Sequence, residues 1–380
     1  MKYRDFGKTG EKVSALGFGC MRLATNPDNT IDVATTERML KYAIDRGVNY
    51  VDTAWPYHGG ESENVVGQVL EGEYREKVFL VTKSPVIALR TPTDFQRILD
   101  EQLRKLRTDR IDMYLLHNLN GRLWDKVLKL DLVKRLEEAK QAGKIRHIGF
   151  SMHDNFDVYK MIVDHYPDWE FSMIQLNYFD EEMQAGVKGL QYGAERGLGM
   201  AIMEPLRGGF LVNLPKEVAA IFQGASVPKS HVKWAFDYLW NKPEVSILLS
   251  GMGSMKMVEE NVAYAEKAEV GMLTDEDVRI IQQAQKRFRE YDIVPCTGCN
   301  YCIPCPMNVA IPRIFEIYNQ YQMGVIDQKT ASDRYHRIYW GYGTVASECF
   351  DCFRCEKHCP QDIKIAAELK PIRQLLEVEQ

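Results

Sequence analysis

The residues best suited to chemistry in this sequence are its cysteines, because eight of the nine lie in two short runs near the C-terminal end. The runs read Cys296-x2-Cys299-x2-Cys302-x2-Cys305-Pro306 and Cys349-x2-Cys352-x2-Cys355-x3-Cys359-Pro360. Three thiolates at steps of three residues can bind one face of an iron–sulfur cubane, with the fourth ligand supplied from elsewhere. The spacing therefore predicts 4Fe-4S clusters at these eight cysteines.

A disulfide framework and a zinc site are the two alternative uses of the cysteines. Disulfide frameworks are typical of short secreted chains, whereas this chain has 380 residues and opens on Met1-Lys2-Tyr3-Arg4-Asp5 rather than on an apolar signal segment. Structural zinc sites usually take two separated C-x2-C pairs around one ion, whereas each run here has three cysteines in close succession. The spacing favours clusters over both alternatives.

The number of clusters depends on how the two runs share their ligands. In two-cluster ferredoxins the cysteine before proline binds the cluster of the other run. That crossed pattern assigns one cluster to Cys296, Cys299, Cys302 and Cys359, and the other to Cys349, Cys352, Cys355 and Cys305. The gap before Cys305 has two residues where three are usual. We expect two clusters, and a single cluster is the alternative.

The composition argues against nucleic-acid and membrane partners. The formal net charge of -5 at pH 7 gives no general attraction to nucleic acid or to an anionic membrane. The sequence also has no uninterrupted apolar stretch approaching the roughly 18 residues of a membrane-spanning helix. Thiolate-bound clusters require a reducing compartment, so we expect a cytoplasmic protein.

Ahead of the cysteine runs, short apolar segments alternate with longer segments of helical period, which predicts a parallel sheet built from βα units. The predicted strands are Ala15–Gly19, Tyr50–Asp52, Val78–Thr82, Ile111–Leu116, Ile145–Phe150, Met173–Asn177, Met200–Met203 and Ile247–Leu249. Eight such units over about 250 residues predict a (β/α)8 TIM barrel. An open doubly wound sheet is the alternative, but its G-x-G-x-x-G fingerprint is incomplete because Arg22 takes the place of the third glycine.

Two helices of this region have recognisable signals. Thr93 and Gln96 predict a capping box for the helix between the third and fourth strands. A single helix is predicted after the fourth strand. Its apolar stripe is Leu128, Leu132, Leu136 and Ala139.

The chain divides into three predicted parts. Residues 1–273 form the α/β barrel, residues 274–291 form a connecting helix that begins at Thr274, and residues 292–380 form a mainly helical 4Fe-4S ferredoxin-like domain. The cysteine runs are separated by residues 307–348, which have helical character. This long separation resembles the helical two-cluster ferredoxin domain rather than the compact ferredoxin.

In a TIM barrel, functional residues collect at the C-terminal ends of the strands. Asp52 and Tyr57 follow the second strand, Lys83 follows the third and His117 follows the fourth. The segments that contain these residues and the next two strands read D-T-A-x-x-Y, V-T-K, I-D-M-Y-L-L-H, I-x-x-I-G-F-S and I-Q-L-N-Y. Together they resemble the aldo-keto reductase family over about residues 2–270.

The resemblance implies NAD(P)-dependent reduction of a small-molecule aldehyde or ketone, without a metal ion in that step. Tyr57 would be the general acid, Lys83 the cation that favours release of its proton, and Asp52 the anchor of Lys83. His117 would orient the carbonyl. A free tyrosine has a pKa of about 10, so a neighbouring cation is needed for proton donation near neutral pH. Taken singly, such residues also occur as helix caps, solvated charges and core histidines.

The resemblance also implies a set of residues for NAD(P). Ser151 and Gln175 would bind the carboxamide. The remaining candidates follow the last two strands: Pro205, Leu206, Gly208, Gly251, Ser254 and Asn261. The family's usual asparagine after the serine is Met152 here, and Met257 stands where NADP-preferring members place a basic residue. NAD and NADP therefore both remain open, and a glycine-rich turn without a ligand is the structural alternative.

The two predicted cofactors differ in the number of electrons that they transfer. A nicotinamide delivers two electrons as hydride, whereas a 4Fe-4S cluster takes one at a time. The clusters therefore work through a flavin or similar converter, exchange electrons with a redox partner protein, or brace the fold. We predict a carbonyl reductase. The alternatives are an electron-transfer or docking protein and a flavin-using reductase, in both of which the barrel no longer reduces carbonyls.

Overall fold

The computed structural model describes residues 1–340 and 343–377, so residues 341, 342 and 378–380 of the predicted C-terminal domain lie outside the described residues. The chain divides into two compact units. The first comprises Met1–Pro205 and Ala235–Leu273, and the second comprises Leu206–Trp234 and Thr274–Gln380. The boundaries 1–273, 274–291 and 292–380 stay predictions.

Eight parallel strands close into a barrel in the order β10-β3-β4-β5-β6-β7-β8-β9, which confirms the TIM barrel. The strands in the described residues are β1 (Tyr3–Asp5), β2 (Lys12–Ser14), β3 (Leu16–Gly19), β4 (Tyr50–Asp52), β5 (Phe79–Ser84), β6 (Ile111–Leu119), β7 (Ile145–Met152), β8 (Phe171–Gln175), β9 (Gly199–Met203) and β10 (Ile247–Gly251). All eight predicted strands are present. Strand β8 begins and ends two residues earlier than predicted. It ends before Asn177 because the side chain of Asn177 forms a turn, in which it accepts hydrogen bonds from the backbone N–H groups of Phe179 (3.0 Å) and Asp180 (2.9 Å).

An antiparallel hairpin of β1 and β2 precedes the barrel and was not predicted. Phe6, which follows β1, is fully buried. Its ring centroid lies 5.8 Å from that of Tyr50 and 5.2 Å from that of Phe171. These contacts extend the apolar interior of the barrel, where side chains from several strands pack in one cluster. The hairpin therefore closes the end of the barrel at which the strands begin.

The helices in the described residues are α1 (Val33–Asp45), α2 (Ser62–Leu70), α3 (Pro92–Lys105), α4 (Gly121–Lys129), α5 (Leu132–Gln141), α6 (Phe156–His165), α7 (Gly186–Glu195), α8 (Lys216–Gln223), α9 (His231–Trp240), α10 (Met255–Ala265), α11 (Asp275–Phe288), α12 (Ile311–Gln322), α13 (Gln328–His336) and α14 (Ile365–Leu376). In the described part of the chain, no helix has the length and apolar character that crossing a membrane would require.

Two helix predictions were wrong in detail. The capping box of α3 is formed by Thr91 and Asp94, because Pro92 already occupies the first helical turn and leaves Thr93 inside the helix. The predicted single helix after β6 is two helices, α4 and α5. The break places Asp131 in the left-handed conformation with φ of 54° and leaves Leu128 45% exposed.

The C-terminal part of the second unit is helical, as predicted. Helices α12, α13 and α14 bury one apolar cluster, whose members include Ile314, Phe315 and Leu369. Six of the cysteines of the two runs pack against this cluster as partly buried side chains. The helices therefore provide an apolar support for the cysteine-bearing loops.

Candidate active site and cluster sites

Lys83 is the centre of the polar residues at the C-terminal end of the barrel. It lies near the end of β5 and is fully buried. Its Nζ donates hydrogen bonds to Asp52 Oδ1 and to the backbone carbonyl of Thr53, both at 2.7 Å. It also lies 3.4 Å from the hydroxyl oxygen of Tyr57. These three oxygens fix the position of the ammonium group.

Asp52 ends β4, the strand beside β5, and is 4% exposed. Burial raises the pKa of this carboxyl group, and the charge and hydrogen bond of Lys83 oppose that rise. A buried lysine and a buried carboxylate are each costly alone, so the contact between them is what allows both to lie inside the barrel.

Tyr57 lies in the loop after β4, at the start of a short turn that continues to Gly60. The turn is tight enough to hold His58 in the left-handed conformation, with φ of 50°. The imidazole of His58 accepts a hydrogen bond from the backbone N–H of Leu23 at 3.2 Å, which ties this loop to the segment after β3. The half-buried Tyr57 ring can therefore present its hydroxyl group from a supported loop.

His117 on β6 lies beside the Tyr57 ring. Its ring centroid is 6.1 Å from that of Tyr57, with the rings nearly perpendicular at 81°. Burial, followed by the charge of Lys83 and the proximity of His153, holds the pKa of His117 well below its ordinary value. The imidazole is thus neutral near pH 7 and can donate a single N–H hydrogen bond. The structure brings together all four residues proposed for catalysis.

Among the candidates for the cofactor, Ser151 and Gln175 are buried at the ends of β7 and β8. The hydroxyl oxygen of Ser151 accepts a hydrogen bond from the backbone N–H of Asn118 at 2.9 Å, which leaves its proton free to be donated. Gln175 donates to Asp180 Oδ2 at 3.2 Å and accepts from Gln184 Nε2 at 3.3 Å. Both side chains are therefore held in fixed orientations.

Asp180 and Gln184 were not predicted as site residues, because no local pattern distinguishes them from other polar loop residues. They lie in the loop between β8 and α7, and Gln184 has a left-handed backbone with φ of 56°. Its side-chain oxygen lies 3.2 Å from Nδ1 of His153, a residue whose pKa burial lowers to about 4. A polar chain thus runs from His153 through Gln184 and Gln175 to Asp180. The positive φ at a non-glycine residue is visible only in the structure.

The other candidates of the first unit lie after β9 and β10. Pro205 is buried in the loop after β9. Gly251 ends β10, and Ser254 caps α10 by accepting a hydrogen bond from the backbone N–H of Met257 at 3.4 Å. Asn261 is buried on α10 and donates to Ser250 Oγ at 3.1 Å. A glycine-containing turn into a capped helix start is an arrangement that suits a phosphate group.

Leu206 and Gly208 belong to the second unit, where they form a tight turn. Gly208 has φ of 66°, and the carbonyl of Leu206 accepts a hydrogen bond from the backbone N–H of Gly209 at 3.0 Å. The left-handed conformation explains a glycine at this position.

Each of two cavities in the second unit is lined by four cysteines. One is lined by Cys296, Cys299, Cys302 and Cys359. The other is lined by Cys305, Cys349, Cys352 and Cys355. This is the crossed pattern, and the short gap before Cys305 does not keep that residue from the second cavity.

The donor set fits clusters better than zinc. Four sulfurs around one tetrahedral zinc ion would each lie about 2.3 Å from a single point. Within residues 1–340 and 343–377, no three His, Cys, Asp or Glu side chains converge closely enough to hold one ion. The eight cysteines instead line two separate cavities, four to each, which is the ligand number of a 4Fe-4S cluster.

A closed βα barrel with a Lys-centred polar site and an appended cluster domain defines an oxidoreductase class, and comparison with known proteins specifies the family. Residues 15–286 match the aldo/keto reductase family, so the chain belongs to that family of NAD(P)-dependent oxidoreductases. Residues 295–363 match the 4Fe-4S dicluster domain, which confirms two clusters.

Two curated relatives show how far the similarity extends. L-galactose dehydrogenase of Arabidopsis thaliana is 28% identical over 292 residues, covering 71% of this chain and 89% of the relative. Aldo-keto reductase YhdN of Bacillus subtilis is 31% identical over 172 residues, covering 42% of this chain and 49% of the relative. The similarity thus extends to reductases and to a sugar dehydrogenase.

Two solved structures have the same fold. The holo form of aldo-keto reductase AKR11C1 from Bacillus halodurans has a TM-score of 0.63 at 26% identity, covering 75% of this chain and 96% of the other. An aldo-keto reductase from Klebsiella pneumoniae, solved in complex with NADPH, has a TM-score of 0.61 at 22% identity, covering 74% and 94%.

Proposed function

We propose that this protein uses NAD(P)H to reduce the carbonyl group of a small aldehyde or ketone, with Tyr57 as the proton donor. The observation that carries this proposal is the position of Lys83 Nζ, which lies 2.7 Å from Asp52 Oδ1 and 3.4 Å from Tyr57 Oη. A tyrosine whose hydroxyl oxygen lies beside a buried ammonium group is suited to release a proton, because the positive charge stabilises the phenolate.

Each catalytic side chain has a distinct task. Tyr57 Oη transfers its proton to the carbonyl oxygen, and the charge of Lys83 stabilises the phenolate that remains. Neutral His117 donates a hydrogen bond to the same oxygen as negative charge develops there, and this orients the carbonyl. Asp52 keeps Lys83 in place. A bound NAD(P)H supplies the hydride that adds to the carbonyl carbon.

The proposed cofactor site uses groups that the structure has already oriented. Ser151 and Gln175 would bind the nicotinamide carboxamide. The N–H groups at the start of α10, preceded by Gly251 and Ser254, would bind a phosphate group. Asn261 would support this turn through Ser250. The remaining proposed contact of the first unit is Pro205, in the segment after β9.

The test is the Tyr57→Phe variant, assayed by the loss of nicotinamide absorbance with a panel of aldehydes, ketones and aldoses, and with NADH and NADPH in parallel. We expect kcat/KM to fall by at least about a hundredfold, the scale of a lost general acid, while the fold is retained. Tyr3→Phe is the matched control, because Tyr3 is 48% exposed on β1. Parent protein that reduces no carbonyl compound would refute the proposal.

We further propose that the clusters exchange single electrons with a redox partner protein and take no part in hydride transfer. The cavity lined by Cys305, Cys349, Cys352 and Cys355 is also lined by Phe350 and Phe353. These two rings are 59% and 51% exposed, which is unusual for phenylalanine and suits contact with another protein. When bound, a cluster supplies transfer of one electron at a time.

The Cys352→Ser variant tests whether carbonyl reduction is independent of the clusters. Iron and sulfide should fall from about eight to about four of each per chain, while NAD(P)H-dependent carbonyl reduction stays within about twofold of the parent. A loss of carbonyl reduction in a folded variant would contradict the proposal. A flavin spectrum in the anaerobically purified parent would favour the flavin-using alternative instead.

A further inference from the structure

A second buried carboxylate lies close to Lys83. Glu63, the second residue of α2, is fully buried and is not part of the catalytic residues proposed above. Its Oε1 accepts a hydrogen bond from the hydroxyl group of Thr82 at 2.7 Å and another from Gln102 Nε2 at 2.6 Å. Isolated buried carboxylates are costly, so two short hydrogen bonds to one oxygen indicate a site specifically built for a charge.

This network holds the end of β5 from outside the barrel. Thr82 and Lys83 are consecutive residues of β5, so their side chains point to opposite faces of the strand. Lys83 faces Asp52 and Tyr57, whereas Thr82 faces Glu63 on α2 and Gln102 on α3. The same Gln102 Nε2 also donates to the backbone carbonyl of Lys83 at 3.1 Å.

Gln102 is itself held by a third barrel element. Its side-chain oxygen accepts a hydrogen bond from the hydroxyl group of Tyr114 on β6 at 2.7 Å. Gln102, Thr82 and Tyr114 are all fully buried. Helices α2 and α3 and strands β5 and β6 therefore meet in one buried hydrogen-bond network centred on the Glu63 carboxylate.

We propose that Glu63 is a positioning residue for Lys83: through Thr82 and Gln102 it fixes the end of β5, and its negative charge favours the charged ammonium. Lys83 thus has two carboxylates, Asp52 in direct contact inside the barrel and Glu63 behind the barrel wall. This inference rests on the proposed role of Lys83 beside Tyr57.

Two lysines near the network favour the charged form of Glu63, while burial disfavours it and leaves its pKa above the ordinary value. Burial raises the pKa of Glu63, and the hydrogen bonds of Thr82 and Gln102 and the charges of Lys105 and Lys83 oppose that rise. Lys105 Nζ lies 3.9 Å from the second carboxylate oxygen. The titratable groups around Lys83 itself are Asp52, Tyr57, His117, Cys20 and Glu63.

The test compares pH profiles of kcat/KM for Glu63→Gln and the parent. Loss of a nearby negative charge makes protons on Lys83 and Tyr57 easier to release, so the alkaline limb should move to lower pH by about half a unit. We also expect kcat to fall about fivefold, with KM for NAD(P)H unchanged. Glu61→Gln removes a negative charge from an exposed position of the same segment. Its kcat and its pH profile of kcat/KM should match those of the parent.

A purely structural role would lower activity without moving the limb, and an unmoved limb in folded Glu63→Gln overturns the inference. If that variant does not fold, Thr82→Val and Thr82→Ser replace it: we expect kcat to fall about fivefold in the first and to recover in the second. Equal kcat in the two variants would overturn the inference. Tyr57→Phe, assayed alongside, shows whether the proposed catalysis itself fails.

Discussion

Removal of the Lys83 charge is the sharpest test of the proposed acid catalysis. Lys83→Met alone would leave Asp52 buried and unpaired, so the variant is best made as Lys83→Met with Asp52→Asn. At the 3.4 Å that separates Nζ from Tyr57 Oη, Coulomb's law gives about 1 kcal/mol with the dielectric constant of water and about 5 kcal/mol with an effective value of about 20. Because Lys83 is fully buried, the larger value is closer to the site.

Each 1.4 kcal/mol corresponds to about tenfold in rate. The kcat of the double variant should therefore be lower than that of Asp52→Asn by roughly a hundredfold to a few thousandfold. The sign of the pH effect is opposite to that of Glu63→Gln. Without the cation, the Tyr57 proton is held more tightly, so the alkaline limb of kcat/KM should move up by at least about one pH unit. The assay is a steady-state pH profile, with Asp52→Asn alone as the control. A limb that stays in place in the folded double variant would refute the role of Lys83.

Two further predictions concern stability. Because the pKa of His153 is lowered to about 4 from 6.5, the unfolded chain binds the proton more readily than the folded chain. This residue's contribution to stability is therefore complete above about pH 6.5 and is lost as pH falls towards 4. In urea unfolding, the free energy of unfolding should fall less between pH 7 and pH 4.5 for His153→Asn than for the parent or for the exposed His165→Asn. Phe6→Ala should lower the free energy of unfolding by about 3–5 kcal/mol through the cavity left beside Tyr50 and Phe171, and an unchanged urea midpoint would refute the closure of the barrel by this ring.

The sequence was enough to predict the barrel strands and the four residues at their ends. Asp52, Tyr57, Lys83 and His117 could be proposed because the segments that contain them resemble aldo-keto reductase motifs and because they follow apolar strands, whose ends converge in a barrel. The cysteine runs were equally informative, since the spacing of cluster ligands is local in sequence. What these features share is that the chemistry can be inferred within a few residues of a regular element.

The supporting residues could not be found in this way, because their partners are remote in sequence. Gln102 lies in the last turn of α3, where its sequence context predicts an ordinary polar helix residue. It is nevertheless fully buried and forms hydrogen bonds with α2, β5 and β6. Gln184 occupies a loop whose conformation no local pattern predicts. The β1–β2 hairpin was missed because three-residue strands carry too little alternation to be recognised.

The crossed cysteine pattern has a consequence for the biogenesis of the protein. Each cavity takes three cysteines from one run and one from the other, so neither run can complete a four-cysteine site alone. During synthesis, the first run emerges with Cys359 still to be translated, and any chain ending between residues 307 and 348 lacks ligands for both sites. Complete loading of both clusters therefore requires synthesis to have passed Cys359, which couples the second cluster-bearing loop to the first.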